Sequence, residues 1–119
     1  MSEVKEQPID PIKFCEEKYP ETTKEFKKIF KENYETFCRK QMNYGPNNIS
    51  VGTRLESPEE IKLSLTGLWF RMNDKIQRLM NLVIFGNPDT VGESIEDTYQ
   101  DLSVYGVIAQ IVKRGKWGK

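Results

Sequence analysis

The 119 residues are the length of one domain, enough to bury a core. The 18 Lys+Arg balance 18 Asp+Glu, so net charge gives no reason to expect duplex nucleic acid or a membrane surface as the main partner. Histidine is absent, which removes histidine-based catalysis and Cys-His or Ser-His nucleophile pairs, and Cys15 and Cys38 alone cannot supply a usual structural zinc site. There is no apolar run long enough for a membrane span, and Met1 to Pro8 lacks the apolar stretch of a secretory signal, so a cytoplasmic location is expected.

In chain order, residues 1–9 are polar and carry Pro8, which predicts a loose arm ahead of one helical domain over 10–119. Asp10-Pro11 reads as an N-cap followed by proline at the first helical position, opening a short helix to about Lys18. From Pro20 a second helix is predicted to about Met42, with Phe26, Ile29, Phe30, Tyr34 and Phe37 at helical spacing. Asn43-Tyr44-Gly45-Pro46-Asn47-Asn48, with Gly52 just beyond, predicts a loop of about a dozen residues.

Ser57-Pro58-Glu59-Glu60 is the clearest helix start in the chain: a serine cap, a proline at the first position and a glutamate at the third. Leu65, Leu68, Met72, Ile76, Leu79 and Val83 then repeat by three and four, a stripe suited to a bundle, with Gly67 as a point where the helix kinks or divides. Trp69 and Phe70 lie in or beside that stripe, as core or subunit-interface candidates. Phe85 to Asp89 breaks the pattern. A last helix is predicted from about Gly92 to Arg114, with Ile95, Thr98, Leu102, Tyr105, Ala109 and Val112 inward and Gly115 as the C-terminal stop. No segment alternates convincingly as a strand. The expected fold is all-α, a bundle of three long helices and a short N-terminal one, completed by homo-oligomerisation.

Two charged rows flank the stripes of the last two long helices. Glu93, Asp97 and Asp101 fall at spacings of four, with Glu96 beside them, and Arg71, Lys75 and Arg78 fall at i, i+4 and i+7 with Asp74 among them. Like charges four apart on a helix repel, so some cation offsets the acidic row. One reading is a ladder of interhelical salt bridges. The other splits the work: Asp97 and Asp101, with Glu93 or Asp74, hold Mg²⁺, while Arg71, Lys75 and Arg78 contact phosphate oxygens. Under the second reading an acidic-row carboxylate orients or deprotonates water, making Asp97, Asp101 and Glu93 the catalytic candidates. Tyr44, Asn47 and Asn48 offer an aromatic face and two amides for a nucleobase, although a plain turn also explains Gly-Pro-Asn-Asn. The basic tail Lys113 to Lys119 reads as a helix end with cations at the negative dipole terminus, or as a segment able to close over a phosphate or cover a partner.

Taken together, the Tyr44–Asn48 segment, Arg71 to Leu79 and Glu93 to Tyr105 resemble the nucleotide-modification-associated domain family, first type, found largely in bacteriophages and bacteria. The resemblance spans roughly residues 30 to 114 and implies a small helical protein linked to modified or unusual nucleotides, in the host cytoplasm if phage-encoded. More distantly, the pattern is similar to the all-α nucleoside triphosphate pyrophosphatases, the MazG-like and dimeric dUTPase group. Those place Glu-x-x-Glu and Glu-x-x-Asp pairs on neighbouring helices to hold Mg²⁺. Here Asp97 and Asp101 are four apart, Thr98 stands at the glutamate position, and the helix of Arg71 has no Glu-x-x-Glu pair; Glu32-Asn-Tyr-Glu35 has that spacing on an earlier helix. These departures bear on hydrolysis more than on nucleotide binding. The expected function is therefore binding or Mg²⁺-dependent hydrolysis of a (deoxy)nucleoside triphosphate. The alternatives are non-catalytic sequestration of a nucleotide and a structural or protein-interaction bundle.

Overall fold

The computed structural model describes residues 7–119; residues 1–6 of the expected arm lie outside the described residues, and residues 7–10 adopt no regular secondary structure. The fold is all-α. Helix α1 is Pro11–Lys18, α2 Pro20–Tyr44, α3 Asn47–Ser50, α4 Pro58–Leu79 and α5 Ile95–Lys113, and α4 runs on into a wider π-helical turn at Met80–Ile84. Among the described residues no helix is long and apolar enough to cross a membrane.

The helix starts follow local chemistry. Asp10 Oδ1 accepts the backbone N–H of Ile12 at 3.0 Å, and Ser57 Oγ accepts that of Glu60 at 3.2 Å. The Glu60 carboxylate reaches back to the N–H of Glu56 at 2.9 Å, so both ends of this start are tied. Ser94 Oγ accepts the N–H of Asp97 at 3.1 Å, which fixes the start of α5 at Ile95 rather than at Gly92. Gly67 does not divide α4, whose bounds run continuously past it. At the other end of α2, the helix continues two residues beyond Met42 to Tyr44, where Gly45 takes φ +66° and its N–H closes on the Gln41 carbonyl.

The chain divides into two compact units between Glu32 and Asn33. In the first, α1 and the beginning of α2 are joined by an exposed Lys27–Glu16 ion pair at 3.2 Å, and the rings of Phe26 and Phe30 meet at 4.9 Å. Of the stripe expected on α2, Phe26, Ile29, Phe30 and Tyr34 are exposed, and Phe37 packs against the core.

In the second unit, Ile49, Leu68, Ile108, Val112 and Trp117 form the buried core, with Phe37, Met72, Val104 and Tyr105 packed around it. The stripe expected on α5 faces inward: Thr98 and Val112 are fully buried. Asn33 is buried on the α2 side and donates to Ser103 Oγ at 3.0 Å while accepting from Gln100 Nε2 at 3.1 Å, which ties α2 to α5 through satisfied amides.

The expected loop after α2 contains a one-turn helix, α3. A single turn leaves its carbonyls without continuing partners. Here side chains from later segments supply two of them, Arg71 donating to Asn48 O at 2.9 Å and the Ser64 hydroxyl to Ile49 O at 2.6 Å. Trp117 Nε1–H adds a donor at 3.0 Å to the cap carbonyl of Pro46, which also accepts the N–H groups of Ile49 and Ser50. The tryptophan of the basic tail is thus core, only 6% exposed, and not a free cover for a partner.

Candidate functional site

A cleft of about 340 Å³ opens in the second unit between α2, α3, α4 and α5. Two helices present it with the same five-position face. From α2 come Thr36, Phe37, Lys40, Gln41 and Tyr44, and from α5 come Gln100, Asp101, Val104, Tyr105 and Ile108. On a helix, positions i, i+1, i+4, i+5 and i+8 share one side. α3 adds Asn48 and Ile49, α4 adds Arg71, and Trp117 closes the floor by edge-to-face packing on Phe37 at 6.0 Å.

Four of the residues singled out in the sequence meet here: Tyr44, Asn48, Arg71 and Asp101. Lys75 does not line the cleft but stands behind Asp101. The two oxygens of Asp101 are divided between Lys40 at 3.2 Å and Lys75 at 3.1 Å. Burial by itself pulls the Lys75 ammonium down, but its hydrogen bond to Asp101 and the charges of Asp101 and Glu93 outweigh this and hold its pKa above the ordinary lysine value. Among the described residues Arg71 has no carboxylate partner; its guanidinium is positioned by the Asn48 carbonyl. Of the charged residues lining the cleft, Lys40 and Arg71 are cationic and Asp101 is anionic, while Lys75 behind Asp101 is shared with Glu93, so the lining carries one net positive charge and favours an anion. Asn48 Oδ1 is buried without a hydrogen-bond partner among the described residues, a group that costs about 1–3 kcal/mol until a donor reaches it.

The remaining expected residues lie elsewhere. Asn47 lines a separate hollow of about 180 Å³ with Pro46, Ser50 and Thr53. Arg78 holds the segment between α4 and α5: it donates to Thr98 Oγ1 at 2.6 Å and to the Glu93 carbonyl, and pairs with Asp89 at 3.5 Å and Glu93 at 3.7 Å. These contacts occupy its guanidinium, and Arg78 is not among the residues lining the cleft.

The acidic row does not form as a helical row. Glu93 precedes the Ser94 cap and is therefore outside α5, paired with Lys75 at 3.8 Å and Arg78. Asp97 sits exposed in the first turn, where a carboxylate favours the positive helix end, and Asp74 is exposed on α4. Among the described residues no three Asp, Glu, Cys or His side chains gather into a group that could hold a metal ion. Glu93, Asp97, Asp101 and Asp74 thus do not make a ready Mg²⁺ cage, because Asp101 and Glu93 are neutralised by lysine and arginine and the other two face solvent. Of the two readings of the charged rows, the Lys75–Asp101, Lys75–Glu93 and Arg78–Glu93 contacts have the form of the salt-bridge ladder.

Sequence reading did not single out Lys40, Gln41 or Gln100, and placed Tyr105 only in the inward stripe of the last helix. The available signal was the mixed polar and aromatic face repeated on α2 and α5, hidden because each half looks like ordinary amphipathic helix. The chain matches no family model, no curated protein and no solved structure. The resemblance to the nucleotide-modification-associated family therefore rests on the three quoted segments alone.

Proposed function

We propose that this protein binds a nucleotide in the cleft between α2 and α5, with Arg71 and Lys40 as the phosphate contacts and the Tyr44, Tyr105 and Asn48 side chains as the base contacts. The observation that carries this reading is the meeting of Arg71, which has no carboxylate partner among the described residues, with aromatic faces and an unpartnered buried amide oxygen in one cleft. A guanidinium suits bidentate phosphate contacts, and aromatic rings suit the face of a base. The volume of about 340 Å³ is at the small end for ligand pockets and suits a mononucleotide.

Binding without hydrolysis is favoured over turnover by the pairing of Asp101 with both Lys40 and Lys75, which leaves no free carboxylate lining the cleft to activate water. The full chain is to be titrated with ribo- and deoxynucleoside mono-, di- and triphosphates, with and without Mg²⁺. Melting, heat of binding and phosphate or pyrophosphate release are then followed. At saturating ligand, about a hundred times Kd, stabilisation of about 2.7 kcal/mol is expected and is read as a rise of several degrees in Tm. Arg71→Ala should weaken binding about tenfold or more, the loss of one charge-assisted contact. Silence from the entire panel overturns the reading, and turnover with Mg²⁺ replaces the binder with a hydrolase.

A further inference from the structure

Along α4 and its π-helical extension, Leu65, Trp69, Met72, Ile76, Leu79 and Val83 alternate spacings of four and three through three heptads, the spacing of a helix seam. The seam is about 27 Å long at 1.5 Å per residue. It is incompletely covered: Trp69 is 57% exposed, Ile76 46% and Val83 45%. Trp69 also stands edge-to-face with the exposed Phe70, at 5.3 Å.

We infer that this seam is a homodimer interface, in which α4 packs antiparallel against α4 of a second copy. The seam's two ends are complementary. An open hollow of about 670 Å³ lies at the N-terminal end, lined by Pro58, Ile61, Lys62, Leu65, Thr66 and Trp69. At the C-terminal end Ile84 and Phe85 project, 71% and 64% exposed. With Met72 of one copy opposite Ile76 of the other, Leu65 meets Val83, and the Ile84–Phe85 end of each copy arrives at the hollow of the other. A two-fold axis satisfies both ends at once, the condition for an isologous contact.

Charge does not oppose the pairing, because Thr66, Asn73 and Met80 flank the open side of the seam with Lys62 at the hollow, and Lys75 on the other flank is paired with Asp101 and Glu93. Trp69, Ile76, Met80 and Val83 leave on the order of 400 Å² open at their observed exposures. Counted on both copies, with the half-covered Leu65, Met72 and Leu79 and the rim, the contact reaches the ~1,200 Å² at which specific dimers begin. Arg71 lies two residues past Trp69, about 160° around the helix at 100° per residue, so dimerisation leaves the nucleotide cleft open.

Sedimentation equilibrium of the full chain from 1 to 200 µM tests this, with Trp69→Glu and Ile76→Glu as variants and far-UV circular dichroism as the folding control. The expected result is a dimer of the unaltered chain and a monomer of each variant with unchanged helix content. A monomer across the range, or a dimer that survives both substitutions, overturns the inference. Should a variant lose helix, the unaltered chain decides by quenching. Trp117 is buried and Trp69 exposed, so dilution must increase acrylamide access to tryptophan in step with dissociation, and concentration-independent quenching overturns it.

Discussion

The indole N–H of Trp117 donates to the carbonyl of Pro46 at 3.0 Å, tying the segment after α5 to the turn before α3 across 71 residues of sequence. The same ring packs on Phe37 and forms the floor of the cleft. One side chain therefore sets the spacing of α2, α3 and α5 around the site.

Replacing it separates packing from hydrogen bonding. Trp117→Ala empties a buried aromatic position and should cost about 3–5 kcal/mol. Trp117→Phe keeps much of the ring, and Pro46 O still accepts the backbone N–H groups of Ile49 and Ser50, so a loss of only about 1 kcal/mol is expected. Urea unfolding of both variants measures the difference; equal losses would remove Trp117 from its packing role.

The Lys75–Asp101 pair gives a pH dependence with a definite sign. Because the folded-state pKa of Lys75 lies above its ordinary 10.5, its contribution is full below about pH 10.5 and is lost as pH rises through the folded value. The gap in urea midpoint between the unaltered chain and Lys75→Gln should stay level from pH 7 to pH 9.5 and narrow above 10.5. A gap that widens on the alkaline side would contradict the pairing.

Arg78 predicts a local effect. It holds Asp89, the Glu93 carbonyl and the buried Thr98 hydroxyl together. Arg78→Ala should cost about 1–3 kcal/mol and speed amide hydrogen exchange in residues 86–94, with nucleotide affinity unchanged. Lost affinity without faster exchange would return Arg78 to the binding site.

Val51 has φ +54° directly after α3, a left-handed conformation that costs a β-branched residue about 1–2 kcal/mol, and it is 54% exposed. Val51→Asn, which tolerates that conformation, should raise stability by about 0.5–1 kcal/mol, read from the urea midpoint. A destabilised variant would mean that the valine side chain contributes packing not evident from its exposure.

By itself the sequence determined what depends on neighbours a turn away. The starts at Asp10-Pro11 and Ser57-Pro58, the inward stripe from Thr98 to Val112 and the all-α class were legible, because caps and helical periodicity are satisfied within four residues. The start of α5 was missed by a few residues because Glu93 continued an acidic spacing of four that the Ser94 cap interrupts. Only the tertiary structure decided which lysines neutralise Asp101, that Arg78 is spent on its own loop, that Trp117 is core and that α3 exists. Each depends on a partner many residues away: Lys40 is 61 positions from Asp101, two carbonyls of α3 are taken by Ser64 and Arg71, and Trp117 reaches the cap carbonyl of Pro46. Composition and spacing can place such charges and donors on a helix face, but desolvation and geometry choose their partners, and these are set only when the helices pack.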